Sequence, residues 1–218
     1  MKRVKGKIMV IKGNSNDKTN QETKQIIISA AQRLFMTYGY RSVSTRQIAD
    51  SCGLTQPALY HHFRNKQMIY IEVVRSMMER TETALLRVYK RYTTLFERLE
   101  QVTYYMLMNH HEDLTQMFHD LQHEMDMETQ ILIRKWWIKS YLDPVVMMIE
   151  DGKKEGSLKE LEQLGTNETE IAYFLLDMIK SSFQLSVEKY NNPLEKQKEA
   201  QRKATLVTNI FIGGLGEQ

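Results

Sequence analysis

The stretch "SVSTRQIADSCGLTQPALYHHFRNK", residues 42–66, decides how this chain is built. Ser44 and Gln47 have the S-x-x-Q spacing of a capping box, so a helix starts there. It is short, because Gly53 ends it within about two turns. Thr55 caps the next helix, and Pro57 sits in its first turn, where a missing N–H costs nothing. Leu59 and Phe63 give that helix an inner face. It stops near Arg64-Asn65, and Asn65 then caps a long helix from Lys66 toward Lys90.

Two short helices joined by a glycine turn form a helix-turn-helix. Ala49 lets the pair approach closely, and Leu59 buries the second helix against the first. The outer face of the second helix is left with Gln56, Pro57, Tyr60, His61 and, at its edge, His62. Such groups donate, accept or touch a thymine methyl, which suits a major groove and is wasted on a core. The bland alternative is a helical hairpin with a solvated polar face.

Charge favours the groove. Residues 1–75 carry 13 Lys and Arg against 4 Asp and Glu, whereas residues 76–218 carry 17 against 23. A basic N-terminal third on an acidic body points to a polyanion, double-stranded DNA, as the partner of that third. The rest of the composition is ordinary: 218 residues, 42% apolar, 26% charged, and only 3 Pro. No window shows sustained strand-like alternation, so an all-α chain of about nine helices is expected. The single cysteine, Cys52, excludes an internal disulfide and fits a reducing compartment. No apolar run approaches the roughly 20 residues of a membrane span, and no signal peptide is legible. A cytoplasmic location without membrane contact is expected.

Upstream, residues 1–20 read as a flexible basic tail, a candidate minor-groove arm or simply disordered. From Glu22 a helix with Ile27, Ala30, Ala31, Leu34, Phe35 and Tyr38 on one face runs to a cap at Gly39. Residues 21–66 thus make a three-helix DNA-binding domain and residues 67–218 a larger helical domain. Within the latter, helices are expected at about 94–110, 113–122, 126–153, 168–190 and 194–212, with breaks at 152–157 and near 165.

The motif resembles the DNA-binding domain of the tetracycline-repressor family. The resemblance lies in Tyr38-Gly39, Thr45 with Ile48-Ala49, Gly53-Leu54, and Leu59-Tyr60-His61-His62-Phe63 followed by Lys66. It implies that Arg46 and Gln56 read base edges, that Pro57 packs on a thymine methyl, and that Tyr60 and His62 grip phosphates. Thr45 and Lys66 would hold the DNA backbone from the starts of their helices, and Thr55 and His61 stand on the same surface. Ala58 departs from the family's repressor, which has a second methyl-bearing polar residue there, so the operator need not be the same. For the body the family implies ligand binding and dimerisation, with the last two long helices pairing across a two-fold axis.

Two further clusters stand out. Four of the six histidines fall in residues 110–124, and His119 and His123, four apart, share a helix face that could bind one metal ion. Solvated histidines are the plainer reading, and no cofactor is expected. Tyr104, Met106, Phe118, Trp136, Trp137, Tyr141, Phe174 and Met178 are core residues or the lining of a cavity for a small apolar or amphipathic effector. No triad-like spacing and no Gly-rich phosphate loop speak for an enzyme. The expected protein is a homodimeric regulator that represses from a palindromic operator and is released by a small molecule. A metal sensor using His119 and His123, or an architectural DNA-binding protein with a solid core, are the alternatives.

Overall fold

The computed structural model describes residues 15–109, 113–158, 165–184 and 192–215. Among them are ten α-helices and one π-helical segment. The first four are α1 (Ser15–Ser42), α2 (Thr45–Ser51), α3 (Gln56–His62) and α4 (Lys66–Arg91). The body continues with α5 (Leu95–Asn109), α6 (Asp113–Glu124), α7 (Met127–Trp137), α8 (Asp143–Lys154), α9 (Glu168–Gln184) and α10 (Pro193–Leu215). The π segment, Ile138–Leu142, joins α7 to α8 without a break, so the helices form nine rods among the described residues.

Local signals set the boundaries of the first domain. Ser44 Oγ accepts the Gln47 amide while Gln47 Oε1 accepts the Ser44 amide at 2.8 Å, completing the capping box. Thr55 and Asn65 cap α3 and α4 by accepting from Ala58 and Met68. Gly53 turns the chain at φ 67°, a value that L side chains rarely adopt.

Three details differ from the sequence reading. α1 begins at Ser15, so part of the expected tail is helical; residues 1–14 lie outside the described residues. Gly39, at φ 77° and ψ 158°, kinks the chain, yet one more turn follows to Ser42. Tyr38, placed above on the inner face, is 62% exposed, and Tyr40 beyond the kink packs inward in its stead, against Phe35 and Tyr70. A fourth difference lies in the body. Gly152 falls inside α8 against Leu95, and the chain turns only at Gly156, φ 71°.

The core is one continuous cluster. It runs from Ile27 and Phe35 through Ile48, Leu59 and Ile69 into Leu99, Val145, Leu175 and Phe211. α4 carries it between the two halves, burying Ile69, Tyr70, Val73, Val74, Met77, Met78 and Leu85. α5 packs along α10, and α1 against both α4 and α6. No helix among the described residues is long and apolar enough to cross a membrane.

Candidate nucleic-acid interface and effector groove

On the outer surface of α2 and α3 three polar side chains are tied together. Gln56 Nε2 donates to Thr45 Oγ1 at 3.0 Å, and the Tyr60 hydroxyl lies 3.1 Å from the same oxygen. Those bonds, Thr45 first and then Gln56, hold the Tyr60 phenol below its ordinary pKa. The arrangement joins the N-terminus of α2 to the face of α3 and fixes the direction of the Gln56 amide. Gln56, Pro57, Tyr60 and His61 are exposed, Ala58 is half-buried, and Leu59 alone of α3 is fully buried. Thr55 is exposed at the cap. Arg46 extends from α2 with 81% of its side chain accessible, only 4.0 Å from Asp50, a contact too weak and too wet to hold it.

His62 and Lys66 sit otherwise than the resemblance implies. The Nδ1 of His62 is buried without a hydrogen-bond partner, and burial, then the charges of His61 and Lys24, lower its pKa. Lys66 turns back toward the joint between α1 and α2. Its ammonium donates to the carbonyls of Tyr40 at 2.9 Å and Val43 at 3.1 Å, and lies 4.1 Å from the Tyr40 ring centroid. Burial lowers its pKa as well, against the raising charges of Glu124 and Asp120. Lys66 therefore fastens the domain's own backbone with two of its three protons.

The same joint is gripped from the body. Asp120 of α6, 2% exposed, accepts the Tyr40 amide at 3.0 Å. Beneath it the buried Tyr70 hydroxyl reaches the Met117 carbonyl at 3.5 Å, and burial, then Asp120, raises the pKa of that phenol. One turn of α6 is thus bonded to the joint between α1 and α2.

The other face of α6 borders an open groove of about 650 Å³, lined on its other sides by α7 and α9. Met117, Leu121, Ile133, Trp137 and Tyr173 line it. Trp137 stacks on Tyr173, centroids 5.7 Å apart and planes 26° apart, and on Tyr141 at 6.2 Å and 13°. Of the eight residues proposed above for a cavity, Trp137 lines this groove and Tyr141 backs it from the core. Met106 is buried, Tyr104, Trp136 and Met178 are half-buried beside the core, and Phe174 is 61% exposed. The Phe118 side chain lies outside the described residues. Sequence reasoning missed Met117, Leu121, Arg134, Tyr173 and Lys180, since only the packing of three helices brings them together.

His119 and His123 stack with centroids 4.5 Å apart, and His123 Nδ1 is engaged by the His119 carbonyl at 2.8 Å. Stacked rings do not converge their nitrogens on one point. Among the described residues no group of three or more His, Cys, Asp or Glu is placed to hold a metal.

A helix-turn-helix with an exposed, hydrogen-bonded outer face is set here on a helical body with a groove. The N-terminal part of the chain is similar to the tetR family. Residues 27–73 match the model of "Bacterial regulatory proteins, tetR family". The regulator AcrR of Shigella flexneri is 42% identical over 53 residues, 24% of this chain and 25% of that protein. The chain's match thus spans about a quarter of such a relative's length. Over the whole fold, FadR of Bacillus subtilis, solved with stearoyl-CoA, superposes with a TM-score of 0.70 at 20% identity, covering 88% of this chain and 98% of that one. AibR, solved with isovaleryl coenzyme A and operator DNA, gives 0.63 at 20% identity, over 89% and 98%. At such identities the likeness is one of fold. AcrR and FadR are transcriptional regulators.

Proposed function

We propose that this chain is a ligand-responsive repressor that binds a palindromic operator as a homodimer. The observation that carries the reading is the bonded Thr45, Gln56 and Tyr60 surface with Arg46 free beside it. Arg pairs bidentately with guanine and Gln with adenine, and Pro57 offers an apolar contact for a thymine methyl. A bound dimer blocks the DNA it covers, which represses.

The groove and the joint supply a route for release. α6 lies between them, with Met117 and Leu121 on one side and Asp120 on the other. A ligand that fits the groove better when α6 has shifted would move Asp120 with it and displace the hinge at Tyr40. The ligand changes DNA affinity only by its preference for that shifted state. The groove favours this reading over an architectural protein with a solid body. That FadR and AibR were solved with acyl-coenzyme A molecules supports ligand response in this architecture.

Selection of bound sites from random duplex DNA by the full chain tests the reading. The expected product is an inverted repeat whose half-sites lie about one helical turn, or a multiple of it, apart. Recovery of single half-sites without a repeat, or no enrichment, would remove the proposal.

A further inference from the structure

We infer that the groove between α6, α7 and α9 takes an amphipathic anion, an apolar chain ending in a carboxylate or a phosphorylated head. This rests on the ligand-responsive reading above and names the class of ligand. The inner part of the groove is apolar, with Met117 and Ile133 buried at its base and the indole of Trp137 on its wall. A flexible hydrocarbon fits such a surface, because methionine adapts its shape and a stacked Trp–Tyr wall offers flat contact along a chain.

The charged groups decide the other end. Arg134 of α7 and Lys180 of α9 line the groove, and among the described residues no carboxylate does. The remaining polar lining, Gln122 and Gln130, is neutral. Two cations bordering an apolar trough select against a cation and favour an anion, and a guanidinium pairs with a carboxylate or a phosphate alike. A volume of about 650 Å³ lies within the range of sites that bury a whole small ligand.

The test is binding to the full chain without DNA, followed by calorimetry and by the fluorescence of Trp136 and Trp137, the two tryptophans. Four probes share one chain length: dodecanoate, dodecanoyl-coenzyme A, dodecan-1-ol and dodecylamine. One or both anions are expected to bind and to quench fluorescence, well ahead of the alcohol and the amine. The tighter anion identifies the source, a free carboxylate or a phosphorylated thioester. Arg134→Gln should weaken the anion about tenfold, the value of a lost charge-assisted bond, and leave the alcohol unchanged. Arg134→Lys should restore part of the loss. Ile131→Glu, an exposed position that puts a carboxylate in the same trough, should abolish anion binding without unfolding the chain.

The inference is overturned if the alcohol or the amine binds as well as the anions, if none of the four binds, or if Arg134→Gln has no effect. Its failure is separable from failure of the regulatory reading. A neutral compound that releases DNA would keep the latter alone, and an anion that binds yet leaves the DNA complex intact would keep the former alone.

Discussion

Lys66 and Gln56 both looked like DNA contacts in the sequence, and their surroundings part them. Gln56 stays on the outer face, aimed by Thr45, whereas the Lys66 ammonium is bonded to carbonyls 26 and 23 residues away. A residue type and a local motif foretell an exposed amide well. They do not foretell a partner that the fold brings from another helix. Lys66→Ala should accordingly lower stability by about 1.5–3 kcal/mol, as for hydrogen bonds made by a charged group. Gln56→Ala should leave melting unchanged and relax preference at one base position per half-site, by about 1–3 kcal/mol against the correct base. Thermal melts and binding to operator variants at two salt concentrations check the pair. An unchanged melt with a flatter salt dependence for Lys66→Ala would return that residue to the phosphates.

At the scale of elements, what was legible was what short-range bonding decides. Ser44, Thr55 and Asn65 announce their helices because each satisfies an amide three residues on. The start of α1 at Ser15 was hidden, since its first turns are polar and carry no apolar period. The π segment at Ile138–Leu142 has no sequence signal either; Ser140, Tyr141 and Leu142 are all buried there, and packing decides the extra residue in the turn. Gly152 looked like punctuation and is instead a point of contact. A Cβ there would meet Leu95 Cδ2 at 2.5 Å, with Leu95 Cγ and Cβ at 3.0 and 3.1 Å behind it. Rotation would move Cδ2 but not Cβ, which stays tighter than ordinary contact, so the backbone must also give. Gly152→Ala should destabilise by about 1–3 kcal/mol despite the gain in helix propensity. Chemical denaturation measures it, and adding Leu95→Ala should recover part of the loss through a non-additive cycle. Additive losses would show that the contact is not tight.

For the whole molecule, the all-helical class and the basic head on an acidic body could be read from composition, whereas a face for pairing could not be told from the chain's own core. On α9 and α10, the helices expected to pair, the apolar residues Ile171, Leu175, Ala204, Val207 and Phe211 are buried within the chain itself, and the Phe183 side chain lies outside the described residues. Phe174, at 61%, and Ile210, at 57%, remain outside, joined by Leu206 one turn before Ile210. Periodicity marks an apolar face but does not tell a chain's own core from a partner's. A dimer at micromolar concentration is expected in sedimentation, and Phe174→Glu with Ile210→Glu should make it a monomer with the fold intact, since both positions are exposed in one chain. A wild-type monomer would end the two-fold reading. The joint at Tyr40 carries a last implication, for chimeras. Because Asp120 of the body supplies an acceptor to the hinge of the head, and one apolar core runs through both, the head is not an interchangeable module. Grafting residues 15–66 onto another body would leave the Tyr40 amide orphaned unless the new scaffold brought its own carboxylate to that spot, so transplants that preserve the helix-turn-helix alone should misfold, and those that carry α6 along should succeed.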